Sequence, residues 1–95
     1  MAAYVIVDNE ITDQAVFDEY IRDIPTVVER CGGKYLVRGG PTEVVSGNRT
    51  PHRVVVIEFE TLERAQAYAN DPESRRLGEI RDRSSNSTTI IVEGV

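Results

Sequence analysis

The stretch that decides the fold is Arg53-Val54-Val55-Val56-Ile57-Glu58-Phe59, a run of β-branched residues closed by an aromatic one. Such a run predicts a buried β-strand. Successive side chains of a strand point to opposite faces of the sheet. Val54, Val56 and Glu58 therefore share one face. We expect Phe59 to pack beneath helices, which turns Glu58 toward the opposite face.

Three more strands are predicted outward from this one, over residues 4–7, 34–38 and 88–92, and residues 42–46 predict a short extended arm. Apolar residues at steps of three and four predict a helix that begins at Thr12 or Asp13 and ends at Gly32-Gly33. Pro25 lies inside it, and we expect a kink or break there. Two further helices are predicted, one from Thr61 to about residue 70 and one that starts at Asp71-Pro72.

The resulting order, β-α-β-β-α-β, predicts an α+β ferredoxin-like domain with a four-stranded antiparallel sheet and helices on one face. The strands carry apolar residues at both odd and even positions, so both faces of the sheet are apolar. We assign Val5, Val7, Val55, Ile57, Ile90 and Val92 to one face, and Tyr4, Ile6, Val54, Val56 and Ile91 to the other. Because one set must point away from the helices, we expect a second copy of the chain to cover it as a homodimer.

Length and composition indicate one soluble domain over residues 1–95. The net charge of −5 disfavours nucleic acid as a partner, and no apolar run is long enough to cross a membrane. The N-terminus has no signal-peptide pattern, so we expect a cytoplasmic protein. Cys31 and His52 are the single cysteine and histidine. We therefore predict no internal disulfide, metal site or cofactor.

Several motifs together resemble the bacterial family called domain of unknown function 1330, in the dimeric α+β barrel superfamily. They are Ala3-Tyr4-Val5-Ile6-Val7-Asp8, the segment 33–40 (GKYLVRGG), RVVVIEF at 53–59, Asp71-Pro72-Glu73 and Val92-Glu93-Gly94. The resemblance covers nearly the whole chain and implies a barrel built from two sheets, but it implies no reaction. Two aromatic positions usual in the family are occupied here by the segments 48–52 and 74–76, which implies a more polar and cationic cleft.

Arg38 and Glu58 lie in strands that should pair as a hairpin, so we expect them to form an ion pair. Two interpretations stay open. The pair could be purely structural, or Arg38 could clamp a ligand carboxylate while Glu58 moves a proton. His52 is a second candidate general base, because imidazole titrates near neutrality, with an exposed hairpin residue as the alternative.

Arginines at three positions, Arg38, Arg53 and Arg81, predict a cationic wall, and Tyr35 is a further candidate lining residue. Our first hypothesis is a dimer that binds a small anionic or polar organic ligand between sheet and helices. The alternative is a cofactor-independent isomerase or monooxygenase with Glu58 or His52 as base. The sequence leaves open whether the protein is an enzyme.

Overall fold

The computed structural model describes residues 1–95 and contains four strands and three helices. In chain order they are β1 (Ala3–Ile11), α1 (Gln14–Arg30), β2 (Lys34–Arg38), β3 (Arg53–Phe59), α2 (Leu62–Asn70), α3 (Pro72–Ser84) and β4 (Ser85–Glu93). This is the predicted ferredoxin-like order, with the second helical region divided in two at Asp71. None of the helices combines the length and the apolar character needed to span a bilayer.

The sheet has the strand order β2-β3-β1-β4, and all neighbouring pairs are antiparallel. Strand β1 lies between β3 and β4 and pairs with both along most of its length. The molecule measures 32 × 31 × 16 Å. A thickness of 16 Å accommodates one sheet and one helical layer, so the second face of the sheet carries no layer of its own.

The core forms where alternate side chains of β1 and β3 meet the helices. Ala3, Val5 and Val7 are buried, as are Val55, Ile57 and Phe59. Phe59 is 1% exposed and packs against Tyr68 of α2, with ring centres 5.2 Å apart. The predicted position of Phe59 under the helices is therefore confirmed, and Glu58 lies on the opposite face.

Two strands are longer than predicted, because polar side chains at their ends bond to one another across the sheet. β1 continues to Ile11 and β4 begins at Ser85. Ser87 donates a hydrogen bond to Asn9 at 2.7 Å, and Asn86 donates one to Glu10 at 3.0 Å. Composition alone predicts a turn at these polar residues, whereas in the structure their side chains are hydrogen-bonded between two paired strands.

Of the kink or break expected at Pro25, the break does not occur, since α1 runs without interruption from Gln14 to Arg30. Pro25 has no N–H and therefore removes one hydrogen bond of the helix. The buried face of α1, which includes Ile24, Val27 and Val28 on both sides of the proline, packs against the sheet and stabilises the helix despite that loss. Residues 42–46, for which a short extended arm was predicted, belong to an exposed connection between β2 and β3 and pair with no strand.

The face assignment was correct for β1 and β3 but wrong for β4. Tyr4 pairs with Val92 and Ile6 with Ile90, whereas Ile91 pairs with Val5. Paired residues share a face, so Ile90 and Val92 point away from the helices. The face without helices, called the open face below, therefore carries a nearly continuous apolar surface made of Tyr4, Ile6, Val37, Val54, Val56, Ile90 and Val92.

Gly33 is required where α1 turns back into the sheet. A Cβ at this position would lie 2.7 Å from the Phe59 ring and 2.8 Å from a methyl group of Val28. We predict that Gly33→Ala lowers the free energy of unfolding by about 1–3 kcal/mol, since overpacking displaces buried side chains. Gly40→Ala is the matched control, because a Cβ there meets no atom within 4 Å. Urea denaturation measures both variants, and equal stabilities would contradict the packing argument.

Asp71 joins the helices and caps α3. Its carboxylate accepts two hydrogen bonds from Arg30 of α1, at 2.8 and 3.1 Å, and further bonds from the backbone N–H groups of Glu73 and Ser74. The Arg30 hydrogen bond, opposed by desolvation and aided by the backbone donors, holds the pKa of Asp71 below its usual value. Because folding lowers the pKa of Asp71, its ionised carboxylate stabilises the folded state at pH values above the usual aspartate pKa. This stabilisation disappears as the pH falls through the lower pKa of the folded state.

We therefore predict that the thermal midpoint falls as the pH drops below about 3.8, the usual aspartate value. Asp71→Asn should lower the midpoint at pH 7 and flatten this acid dependence. Asp23→Asn is the control, because its partner Arg22 is the preceding residue and stays nearby in the unfolded chain. Calorimetry between pH 2 and 7 tests this, and an equally flat profile for Asp23→Asn would contradict it.

Candidate functional site

Two cavities lie between the sheet and the helices, one on each side of Tyr20. The larger is a cleft of about 400 Å³ between α3 and the strands β1 and β4. The smaller, of about 30 Å³, lies between α1 and the strands β2 and β3. Tyr20 and Val7 line both cavities. Only the larger reaches the volume of roughly 300–1,000 Å³ that holds a small organic molecule.

The larger cleft has an apolar floor and a polar rim. Val5 and Val7 of β1 and Ile91 of β4 line the floor. Tyr20 and Tyr68 contribute aromatic walls, and the rim side chains come from α3 and β4: Ser74, Arg75, Glu79, Arg81, Asp82 and Thr89. An apolar body with a few polar groups at one side is the common architecture of a ligand pocket.

Arg81 is the most buried cation of the cleft, with 22% of its side chain exposed. Its Nε donates to Asp82 at 3.0 Å, and its guanidinium lies 5.8 Å from the centre of the Tyr20 ring. Burial opposes the charge, but the hydrogen bond to Asp82 and the neighbouring Tyr20 outweigh it, so the pKa of Arg81 is raised overall. Arg81 is thus a permanent cation at the rim of the cleft.

Gly78 provides the space for that guanidinium. A Cβ at Gly78 would lie 3.2 Å from Nη2 of Arg81, closer than an ordinary van der Waals contact. A glycine inside a helix costs about 0.5–1 kcal/mol relative to alanine. The position of this glycine is explained by the close approach of the Arg81 side chain.

The phenols of Tyr68 in the cleft and of Tyr35 in the smaller cavity are neutral. Burial raises the pKa of Tyr68 far above the ordinary phenol value, and the nearby phenols of Tyr20 and Tyr35 raise it further. Burial also raises the pKa of Tyr35. A neutral phenol offers an O–H donor as well as an aromatic surface, so these residues can orient a ligand without adding negative charge.

Arg38, Arg53 and Tyr35 line the smaller cavity, away from Arg81. The Arg38 guanidinium stacks on Tyr35 at 3.8 Å from the ring centre, and that of Arg53 lies 5.8 Å from the centre of Phe17. The single cationic wall expected from the sequence is therefore divided in two by Tyr20.

The predicted ion pair between Arg38 and Glu58 does not form. Lys34 pairs with Glu58 and Tyr35 with Ile57, but an irregularity at the next residue pairs Arg38 with Val55. An extra residue in one strand reverses the face of every side chain beyond it. Arg38 consequently points to the helix side, while Glu58 is half-buried on the open face, beside Lys34 and Tyr4.

His52 also lies on the open-face side of the sheet, next to two carboxylates that the sequence does not place beside it. Its Nε2 is 3.1 Å from Glu10, its Nδ1 is 3.9 Å from Asp8, and its backbone N–H donates to Asp8 at 2.9 Å. Asn86 holds the other oxygen of Glu10. His52 is thus oriented by β1 but does not reach the cleft on the other face.

Sequence reasoning missed most of the cleft. It pointed to Arg81 and, through the family resemblance, to the segment 74–76, but it did not single out Gly78 or Thr89. The available signal was the small residue Gly78 in the middle of a helix, which commonly marks a close approach. No group of three or more His, Cys, Asp or Glu side chains is arranged to hold a metal ion.

Together, the four-stranded antiparallel sheet and the helix-side cleft define a ferredoxin-like α+β protein. The chain belongs to the family described as domain of unknown function (DUF1330), whose model matches residues 2–95. The sequence-based family assignment is confirmed. None of the curated proteins matches the chain.

Solved structures share the fold at low sequence identity. A protein of unknown function from Rhodopseudomonas palustris has a TM-score of 0.77 and 18% identity, covering 99% of this chain and 82% of its own. A dimeric ferredoxin-like protein of unknown function from Jannaschia sp. CCS1 has a TM-score of 0.71 and 15% identity, with coverages of 99% and 100%. A candidate antibiotic biosynthesis monooxygenase from Caulobacter crescentus CB15 has a TM-score of 0.67 and 12% identity, with coverages of 99% and 90%.

Proposed function

We propose that this protein binds a small organic anion in the cleft between α3 and the strands β1 and β4. The observation that carries the proposal is the mostly buried Arg81 side chain at the rim of a cleft of about 400 Å³ that has an apolar floor. Its Nε is occupied by Asp82, which leaves the terminal nitrogens to receive a carboxylate.

The shape of the cleft favours an anion with an apolar body. Val5, Val7 and Ile91 can bury an aliphatic or aromatic group, while the Tyr68 phenol supplies a neutral donor. Glu79 and Asp82 also line the cleft and would repel a second negative charge. A monocarboxylate with a hydrophobic body therefore fits better than a polyanion.

We predict that carboxylates with an apolar body stabilise the protein, with benzoate more effective than acetate, because each bound ligand raises the thermal midpoint by mass action. Arg81→Gln should abolish the shift. Gly78→Ala should weaken it while keeping or raising the stability of the free protein, since alanine favours the helix but displaces Arg81. Arg83→Gln, which removes the same charge from an exposed position, is the matched control. Equal shifts in all variants would refute the cleft as the site.

We further propose that two copies pair through the open face. The surface area of 6105 Å² exceeds the roughly 5,500 Å² expected of a globular monomer of 10.6 kDa. Ile90 and Val92, on the edge strand β4 of this apolar face, are 48% and 43% exposed. The similar proteins from Jannaschia sp. CCS1 and Bacteroides fragilis are described as dimeric, which agrees with this proposal.

Sedimentation at micromolar concentration should give about twice the mass of 10.6 kDa. Ile90→Lys should produce a folded monomer. The lysine charge stays hydrated in a single copy and loses its water only when two open faces come together, which disfavours the dimer. Val45→Lys is the matched control, since Val45 is 92% exposed in the connection between β2 and β3. A monomeric wild type, or a dimer that tolerates Ile90→Lys, would exclude this interface.

The second candidate function is a cofactor-independent enzyme of the isomerase or monooxygenase type. The fold similarity to the Caulobacter crescentus protein favours it, as does the orientation of His52 by Glu10 at 3.1 Å. Glu58 and His52 remain the candidate bases. Since both lie on the opposite side of the sheet from the cleft, their chemistry would take place between two paired copies.

Under this second function, His52→Gln should abolish turnover of the substrate and leave the carboxylate-induced shift of the thermal midpoint unchanged. Retained turnover would remove His52 from the mechanism.

A further inference from the structure

We propose that the smaller cavity, between α1 and the strands β2 and β3, is a separate binding site for one small oxyanion, held by Arg38 and Arg53. The oxyanion is a phosphate or carboxylate group, either free or at the end of a larger molecule whose remainder lies outside. This site does not depend on the cleft beside α3, because its cations and its cavity are different.

The backbone brings the two guanidinium groups together. The irregularity in β2 turns Arg38 to the helix side opposite Val55, two residues beyond Arg53 on the neighbouring strand. Gly39 has a φ of +72°, and a Cβ there would lie 3.1 Å from Nε of Arg53. Gly39 thus allows the Arg53 side chain to cross the end of β2. Burial raises the pKa of Tyr35, and the charges of Arg38 and Arg53 each lower it by a smaller amount. Both guanidinium groups therefore lie near the Tyr35 phenol.

Neither of these two cations has a protein counter-charge. Arg22, Arg30, Arg64, Arg76 and Arg81 each pair with a carboxylate within 4.0 Å, but Arg38 and Arg53 do not. Arg49, Arg75 and Arg83 are unpaired as well, but of these five arginines only Arg38 and Arg53 line the same cavity. They are held by the faces of Tyr35 and Phe17, which leaves the N–H donors at their edges available.

The cavity adds a third donor and sets the size of the ligand. Asn9 lines it and is 2% exposed, and its side-chain oxygen accepts a hydrogen bond from Ser87 at 2.7 Å. The NH₂ group of Asn9 is therefore the part left for the cavity. A volume of about 30 Å³ admits an anionic group of a few atoms and excludes a whole organic molecule. No carboxylate lines the cavity.

Titration of the ¹⁵N-labelled protein with sodium phosphate, and separately with sodium acetate, at constant ionic strength in sodium chloride tests the site. We expect saturable shifts of the Gly39 amide and the Asn9 side-chain amide with at least one of the two anions. Saturation by phosphate alone indicates a tetrahedral oxyanion, and saturation by acetate alone indicates a carboxylate.

Arg38→Gln and Arg53→Gln should each weaken the affinity by about tenfold or more, the effect of losing a charge-assisted hydrogen bond. Arg83→Gln controls for net charge, and Arg81→Gln separates this site from the cleft; both should leave the affinity unchanged. Arg38→Lys keeps the charge without the planar fork and should bind with intermediate affinity, which covers the case in which a glutamine variant does not fold. Linear, unsaturated shifts with both anions, or equal losses in Arg83→Gln, would overturn the proposal.

Discussion

The rest of the structure depends on the two-residue alternation of the paired central strands β1 and β3. Because their side chains alternate between faces, Val5 and Val7 pack under the helices while Tyr4 and Ile6 are directed to the open face. One apolar strand thus serves two layers. The helices satisfy the first, and a chain of 95 residues has no further element with which to cover the second. The proposed pairing of two copies follows from this constraint, since an apolar sheet face of this extent is unfavourable in water.

The cavities arise where the helical layer does not fit closely against the sheet. Helix α3 packs mainly on α1 and makes few contacts with β4, which opens the cleft above Val5 and Ile91. Tyr20 of α1 fills the middle of the layer and separates this cleft from the smaller cavity. The helix side therefore holds two cavities of different size and lining.

The two faces of the sheet also differ in their chemistry. The helix side gathers cations, with Arg38 and Arg53 at one cavity and Arg81 at the other. The open-face side has titratable groups at both ends: His52 lies between Glu10 and Asp8 at one end, and Glu58 lies beside Lys34 and Tyr4 at the other. Binding of an anion and transfer of a proton would accordingly take place on opposite sides of the sheet.

The sequence by itself determined the element order, the family and the inner position of Phe59, because hydrophobic periodicity and helix caps are local properties. It also indicated that one sheet face would lack helices. Only the tertiary structure decided which residues meet. The irregularity in β2 moved Arg38 away from Glu58, and the register of β4 placed Ile90 on the open face. Strand register and a single inserted residue depend on pairing with a distant segment, and no local pattern encodes that pairing.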